Sequence, residues 1–363
     1  MREFKILAVV VFFTLLVYIG VEPFAHSKMH AHVEGHDFVY DGTADIEEAN
    51  TRVENTKEAL KKAQDELVKI QSIDDAPQED IVKAQEAIKK QEGALVKAEE
   101  TVKHKRLFWG SVASIAQLDA NVSNGEASFG TCMACHNGAG INMGGVIPPS
   151  LDHAGSLYDK NYLIARLKDP AMASNVDHKY ANTMMHPMGS VMAMVTSDQQ
   201  IADIVEYMMQ NKVGELEPKA VFEEACVRCH AVRYAKITQL GDTPEFKEEK
   251  DALAYKIKVL DEQALVKAYM GKLPPDLSMM IRARSPHYME TFVENPQTQL
   301  PGTSMPRVGL TKENYEKVKT YLEEVGDPSK PARAAIGPWV ILFFVVFTIL
   351  AYLWKKSQWK DLH

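Results

Sequence analysis

Two copies of one short pattern constrain this chain more than anything else in it. Cys132-Met133-Ala134-Cys135-His136 and Cys226-Val227-Arg228-Cys229-His230 both read C-x-x-C-H, and between them they use all 4 cysteines of the 363 residues. Paired thiols three residues apart, followed at once by a histidine, suit covalent attachment of haem c. The thiols add across the porphyrin vinyl groups, and the histidine ligates iron. A structural zinc site also uses C-x-x-C pairs but has no need of a histidine directly after each one. Two thioredoxin-type dithiols in an oxidising compartment are the other alternative, and haem is favoured because every cysteine is used by a motif that occurs twice. Two haem c groups are therefore expected, held by Cys132, Cys135, Cys226 and Cys229, with His136 and His230 as proximal iron ligands.

Membrane segments set the compartment. Residues 336–354 carry no charge and end on Lys355-Lys356, which is long enough to cross a bilayer core as a helix. Trp339, Tyr352 and Trp354 suit its interfacial belts, and the two lysines place the C-terminus in the cytoplasm. Near the N-terminus, Arg2 and Lys5 precede an uncharged run from Ile6 to Val21. That run reads as a signal segment or a short anchor. Pro23-Phe24-Ala25-His26-Ser27 lacks a clean A-x-A cleavage site and favours the anchor. The body between the two segments is expected on the periplasmic side of a bacterial inner membrane, where haem c attachment occurs. A net charge of −8 with no long basic run excludes nucleic acid as the expected partner.

Between the anchor and the first motif lies a different texture. Residues 45–107 are rich in Ala, Glu, Lys and Gln, with Val53, Leu60 and Leu67 and then Ile81, Ile88, Leu95 and Val102 recurring every seven residues. Asp74-Asp75-Ala76-Pro77 separates the two runs. The pattern predicts an antiparallel helical hairpin with a narrow apolar seam, serving as a spacer or docking arm or as a solvated insertion. Four histidines, His26, His30, His32 and His36, stand just outside the first apolar segment. They read as a polar strap at the membrane surface or as a metal- or quinone-proximal cluster.

Each motif is followed by the same series of parts. After His136 come Pro148-Pro149-Ser150-Leu151, a helix through Tyr162, Leu163, Ala165 and Leu167 that stops near Pro170, and a methionine-rich loop over 184–194. A closing helix follows, capped by Ser197, with Ile201, Ile204, Val205 and Met208 on one face. After His230 come Pro274-Pro275-Asp276-Leu277, Met305-Pro306 and a closing helix from Thr311 with Tyr315, Val318 and Leu322. The repeated order predicts tandem units of one kind. The expected layout is an anchor or signal at 1–22, a His-rich linker at 23–44, the hairpin at 45–107, haem units at 108–213 and 214–333, and an anchor with its tail at 334–363. The expected fold class is mainly α.

Both units resemble class I cytochrome c. That resemblance implies that the Pro149 and Pro275 carbonyls accept a hydrogen bond from the axial histidines, and that a methionine from each later loop completes the iron coordination. The second unit is similar to cytochrome c1, the haem subunit of the quinol–cytochrome c reductase complex. The similarity rests on Cys226–Tyr234, on Gly271-Lys-Leu-Pro-Pro-Asp-Leu-Ser278, on Ser304-Met305-Pro306 and on the C-terminal anchor. The first unit is closer to cytochrome c4-like domains, and the whole chain is similar to dihaem c1 subunits of some epsilonproteobacteria. For the second haem the resemblance implies Met305 as distal ligand. For the first it implies Met188, by its distance from the Ser-Asp that opens the closing helix, or Met185, by its Met-x-Pro spacing, with Met192 next.

Function follows as expectation. Methionine opposite histidine raises the haem potential and closes the iron to outside ligands, which suits electron transfer. The resemblance implies an electron-transfer subunit with no substrate-bond chemistry of its own, in a dimeric complex with cytochrome b and Rieske iron–sulfur subunits. It would pass electrons from the second haem to the first and on to a soluble cytochrome c or a terminal oxidase. A free membrane-tethered dihaem carrier is the alternative. A dihaem peroxidase needs an open iron position, and a methionine available in both halves argues against it.

Overall fold

A computed structural model describes residues 2–29, 33–73, 77–136, 147–212 and 214–360. The chain is mainly α, as its patterning predicts; the described strands are the short antiparallel pair β1 (Ile237–Thr238) and β2 (Gly241–Asp242). Two compact units divide it, residues 1–35 and residues 36–363. The first holds α1 (Arg2–Met29), whose segment Arg2–Val21 has a mean hydropathy of 2.5 and is long and apolar enough to cross a membrane. Of the expected histidine cluster, His30 and His32 and the side chain of His26 lie outside the described residues.

The second unit opens on a strap that is anchored rather than free. The Glu294 carboxylate accepts the backbone N–H of His36 at 2.9 Å and that of Phe38. Asp37 and Phe38 take positive φ angles of 53° and 58° to deliver those two donors. Phe38 then stacks on Tyr315 with ring centroids 4.8 Å apart, and the Tyr40 hydroxyl donates to the Leu310 carbonyl. A buried carboxylate that satisfies two N–H groups offsets the cost of a strained turn.

The hairpin follows as α2 (Thr43–Gln71) and α3 (Gln78–Ala116). Ala49, Val53, Ala98 and Val102 form its buried seam, with Leu95 packed against them. The second helix runs through residue 107 without a break. The sequence around 107 has no proline, and Phe108, Trp109, Val112 and Ile115 carry an apolar stripe onward into the main core.

That core is shared between both C-x-x-C-H regions. It joins Phe108, Trp109, Val112 and Ile115 to α6 (Lys160–Lys168), α7 (Asp198–Gln210), α8 (Pro218–Cys226) and α11 (Lys312–Gly326). Two short helices precede α6 at the first motif, α4 (Val122–Phe129) and α5 (Met133–His136). The closing helices start where the sequence places them. The Ser197 hydroxyl accepts the Gln200 N–H, the Thr311 hydroxyl accepts the Asn314 N–H, and Ile204, Val205, Tyr315 and Val318 are buried on the inner faces. Ile204, Val205 and Val318 each contribute about 1.5–3 kcal/mol by leaving water. Between the second motif and its proline segment, the insertion folds as the β1–β2 pair and α9 (Glu249–Met270), and α10 (Pro286–Glu294) comes after the proline segment. The chain ends in α12 (Lys330–Gln358), a second helix apolar enough to cross a membrane, tied to the end of α11 by Arg333 Nη1 and Nη2 on the Asp327 carboxylate at 2.7 and 2.6 Å.

Candidate haem-attachment sites

The first motif is one helical turn. The His136 N–H donates to the Cys132 carbonyl at 3.0 Å, so Cys132 and Cys135 stand three residues apart on one helix face. The second repeats this, with the His230 N–H donating to the Cys226 carbonyl at 2.9 Å and Cys229 N–H to the same carbonyl at 3.2 Å. All four thiols are half-buried, and none is in a disulfide. Burial pushes the Cys226 thiol up to about 12, which keeps it a neutral, apolar lining group.

Both histidines are oriented alike. His136 Nδ1 lies 2.7 Å from the Pro149 carbonyl, and His230 Nδ1 lies 2.8 Å from the Pro275 carbonyl. A carbonyl only accepts, so Nδ1 carries the proton in each ring, and the Nε2 lone pair is left for a metal. Burial lowers the pKa of both imidazoles against the opposing pull of the proline carbonyls, and the Arg228 and Arg166 charges lower His136 further. The lowering favours the neutral ring, the form that ligates. A paired-thiol turn with a proton-fixed imidazole is the donor set that haem c requires, and both motifs supply it.

Local bonds explain why each proline carbonyl arrives. At the second site the Leu277 N–H donates to the Ala231 carbonyl at 2.9 Å, and the Asp276 carboxylate accepts the Arg233 N–H at 3.1 Å. These bonds lay the 274–278 segment along residues 231–234. At the first site the 147–150 stretch is in neither helix nor strand, as two successive prolines favour, and Leu151 packs on the core.

The methionine loops differ in definition. Met188 is half-buried and packs against the core, whereas Met185 is 62% exposed and Met184 56%. Met192 and Met194 are also exposed, and Met305 is half-buried in its loop. A residue the sequence reading passed over fixes the first loop. His186 is buried, and its Nδ1 accepts the Met188 N–H at 3.0 Å. Burial, with Arg166 and Lys179 nearby, pushes its pKa down to about 3, so it stays an acceptor at any physiological pH. The Met-Met-His-Pro-Met run was its only signal.

The two motif regions face one cleft. Pro148 and Pro149 of the first line a cavity of about 320 Å³ together with Val227 and Arg228 of the second. Farther along, Tyr180 of the 177–188 stretch sits edge-on to His186, and its hydroxyl is 3.1 Å from that of Tyr269 on α9. Lys179 Nζ rests 4.4 Å above the Tyr269 ring. Segments of the first region thus reach the insertion of the second.

Comparison with known proteins agrees with this geometry. Residues 122–212 match the family model for cytochrome c. The chain is similar to the ammonia monooxygenase gamma subunit of Nitrosomonas europaea, at 26% identity over 188 residues, covering 39% of this chain and 80% of that protein. It is also similar to cytochrome c1 of Allochromatium vinosum, at 24% identity over 201 residues, covering 39% of this chain and 82% of that protein. No solved structure matches it. The chain therefore carries a cytochrome c domain at residues 122–212, a fold that holds haem c for electron transfer.

Proposed function

We propose that this chain is a dihaem electron-transfer subunit of a membrane-bound quinol–cytochrome c oxidoreductase. The supporting observation is the paired geometry, in which His136 with Pro149 and His230 with Pro275 make the same contact at 2.7 and 2.8 Å within one continuous core. In this reading Cys132 and Cys135 hold one haem c, and Cys226 and Cys229 hold a second. His136 and His230 would ligate the two irons, with Met188 and Met305 as the second ligands. When bound, haem c supplies one-electron transfer between ferric and ferrous iron.

The chain's own groups do the rest. The proline carbonyls fix the imidazole protons at Nδ1, and the methionine loops would supply the second ligand to each iron. The cleft between Pro149 and Arg228 supports a short route between the two centres. Similarity to cytochrome c1 favours entry at the 226–230 site from a Rieske iron–sulfur protein beside a cytochrome b, in a dimeric complex. Exit is then at the 132–136 site, to a soluble cytochrome c or an oxidase. The apolar helices support an inner-membrane location, with Lys355 and Lys356 at the cytoplasmic end and the haem units in the periplasm.

Purification from native membranes tests this. The expected preparation contains cytochrome b, a Rieske protein and two c haems in fixed ratio to the b haem. Recovery of the chain without cytochrome b refutes it. Similarity to the ammonia monooxygenase gamma subunit favours one second reading, an electron-transfer subunit of a different membrane oxidoreductase, and the identity of the copurifying subunits separates the two.

A further inference from the structure

The base of the hairpin carries a buried ion pair that haem attachment does not require. Asp45, in the first turn of α2, is 2% exposed, and Arg307 is 4% exposed. The guanidinium grips the carboxylate with both terminal nitrogens, Nη1 to Oδ2 at 3.1 Å and Nη2 to Oδ1. Trp109 of α3 donates its indole N–H to Oδ2 at 2.9 Å. Asp45 is thus held by both hairpin helices. A bidentate pair fixes orientation as well as distance, and burying one is costly unless its geometry is well satisfied.

Arg307 stands two residues beyond Met305. Its backbone is also held, its N–H donating to the Ser174 carbonyl at 2.9 Å and its carbonyl accepting the Tyr162 hydroxyl at 2.9 Å. The bonds of the preceding loop are local: Met305 N–H to the Thr303 hydroxyl at 3.3 Å, Gly302 N–H to the Gln297 side chain at 2.8 Å, and Thr303 N–H to the Leu300 carbonyl at 3.0 Å. The loop is therefore pinned to the rest of the molecule at Arg307, by the hairpin on the side-chain side and by residues 162–174 on the backbone side.

We propose that the helical hairpin is a positioning arm for the second haem site: Asp45, acting through Arg307, holds the loop that presents Met305 opposite His230. The inference rests on the reading of Met305 as the distal ligand. It gives the hairpin a role in tuning a redox centre, beyond that of a spacer. Asp45 and Arg307 are positioning residues, and weakening them frees the loop to swing away and exposes the iron to outside ligands.

The test uses the full chain, matured with haem and purified in detergent, in three variants: Asp45→Asn, Trp109→Phe and Met305→Ala. The readouts are haem content, the ferric sulfur-to-iron absorption band and imidazole binding to the ferric protein. Met305→Ala is expected to lose the band of one haem and keep the other. Asp45→Asn is expected to retain both haems and bind imidazole at the second haem at least about tenfold more tightly, as the open loop becomes more populated. Trp109→Phe, which removes the indole donor and keeps the ring, moves the same way by about threefold. The first-haem band stays unchanged in all three. If Asp45→Asn does not load haem, Trp109→Phe decides the matter. A pair that is merely structural lowers the melting temperature and leaves imidazole affinity and the band at wild-type values, which overturns the proposal. If Met305→Ala keeps the whole band, the ligand reading has failed and takes the proposal with it.

Discussion

The Tyr162 hydroxyl on α6 donates at 2.9 Å to the Arg307 carbonyl, joining the cytochrome c domain to the chain just past Met305. It belongs to a longer seam. The Asp159 N–H donates to the Gly309 carbonyl at 3.0 Å, and the Thr311 N–H to the Leu157 carbonyl at 3.2 Å. The Asn314 side-chain amide reaches the Ser156 carbonyl at 2.7 Å and the Leu157 carbonyl at 3.1 Å. Each is a buried or part-buried group that separately folded units would have to satisfy with water.

Gly309 is the tightest point of that seam. Its φ is +81°, and a Cβ there would run into the Tyr162 ring. An L-residue in the left-handed region costs about 1–2 kcal/mol, and overpacking adds about 1–3 kcal/mol. Gly309→Ala is expected to destabilise the protein by about 2–4 kcal/mol and lower its melting temperature by at least about 5 °C. Thermal unfolding followed by haem absorbance measures this. An unchanged melt would mean that the seam does not persist in solution.

The methionine loop offers a direct comparison. Met188 packs against the core and its N–H is held by His186, whereas Met185 is 62% exposed. Met188→Ala is expected to abolish the sulfur-to-iron band of one haem with haem content unchanged. Met185→Ala is expected to leave both bands intact. The opposite pattern in ferric absorption spectra would transfer the assignment to Met185.

Much of this arrangement was legible because its signals are local. A C-x-x-C-H turn, a proline pair and a Ser or Thr cap each act within a few residues, so pattern and structure coincide at His136, Pro149, Ser197 and Thr311. The seven-residue repeat likewise marks the seam through Val53 and Val102. What escaped depends on distance along the chain. Asp45 and Arg307 are separated by 262 positions, and neither residue type announces a buried partner. Helical periodicity says which face of α3 is apolar but not what covers it, so its passage beyond residue 107 into the common core was hidden. His186 was overlooked for a related reason: it lies among methionines that attract attention as ligands, and its part is to fix a backbone N–H.

The crossing of α4 and α7 depends on a missing side chain. A Cβ on Gly125 would meet the Asp203 carbonyl and the Tyr207 side chain. Asp203 itself accepts the Asn121 N–H at 2.8 Å, which ties the start of α4 to α7. Gly125→Ala gains about 1 kcal/mol of helix propensity. It must also push two helices apart in a close-packed core, where such overpacking costs about 1–3 kcal/mol or more. The expected net effect is a loss of stability and of haem loading at the 132–136 site, read by haem-stained gels against the 226–230 site in the same chain.

Acid should weaken the protein through Asp45 in a definite window. Burial alone would raise this carboxyl, but Arg307 and Lys105, with hydrogen bonds from Arg307 and Trp109, hold it at about 2 against an ordinary 3.8. A carboxyl depressed on folding stabilises the native state above its unfolded pKa, and that contribution disappears as protons bind the folded form. The stabilisation is therefore complete above about pH 4 and is lost as pH falls toward 2, for a total of about 2 kcal/mol. Asp45→Asn leaves Arg307 buried without a counter-charge and is expected to be less stable at neutral pH by about 3–5 kcal/mol. Its stability should also fall less steeply between pH 4 and 2, because the titrating group is gone. Urea midpoints of the full chain across that range compare the two slopes. Parallel wild-type and variant curves would show that Asp45 is not held in its charged form by Arg307.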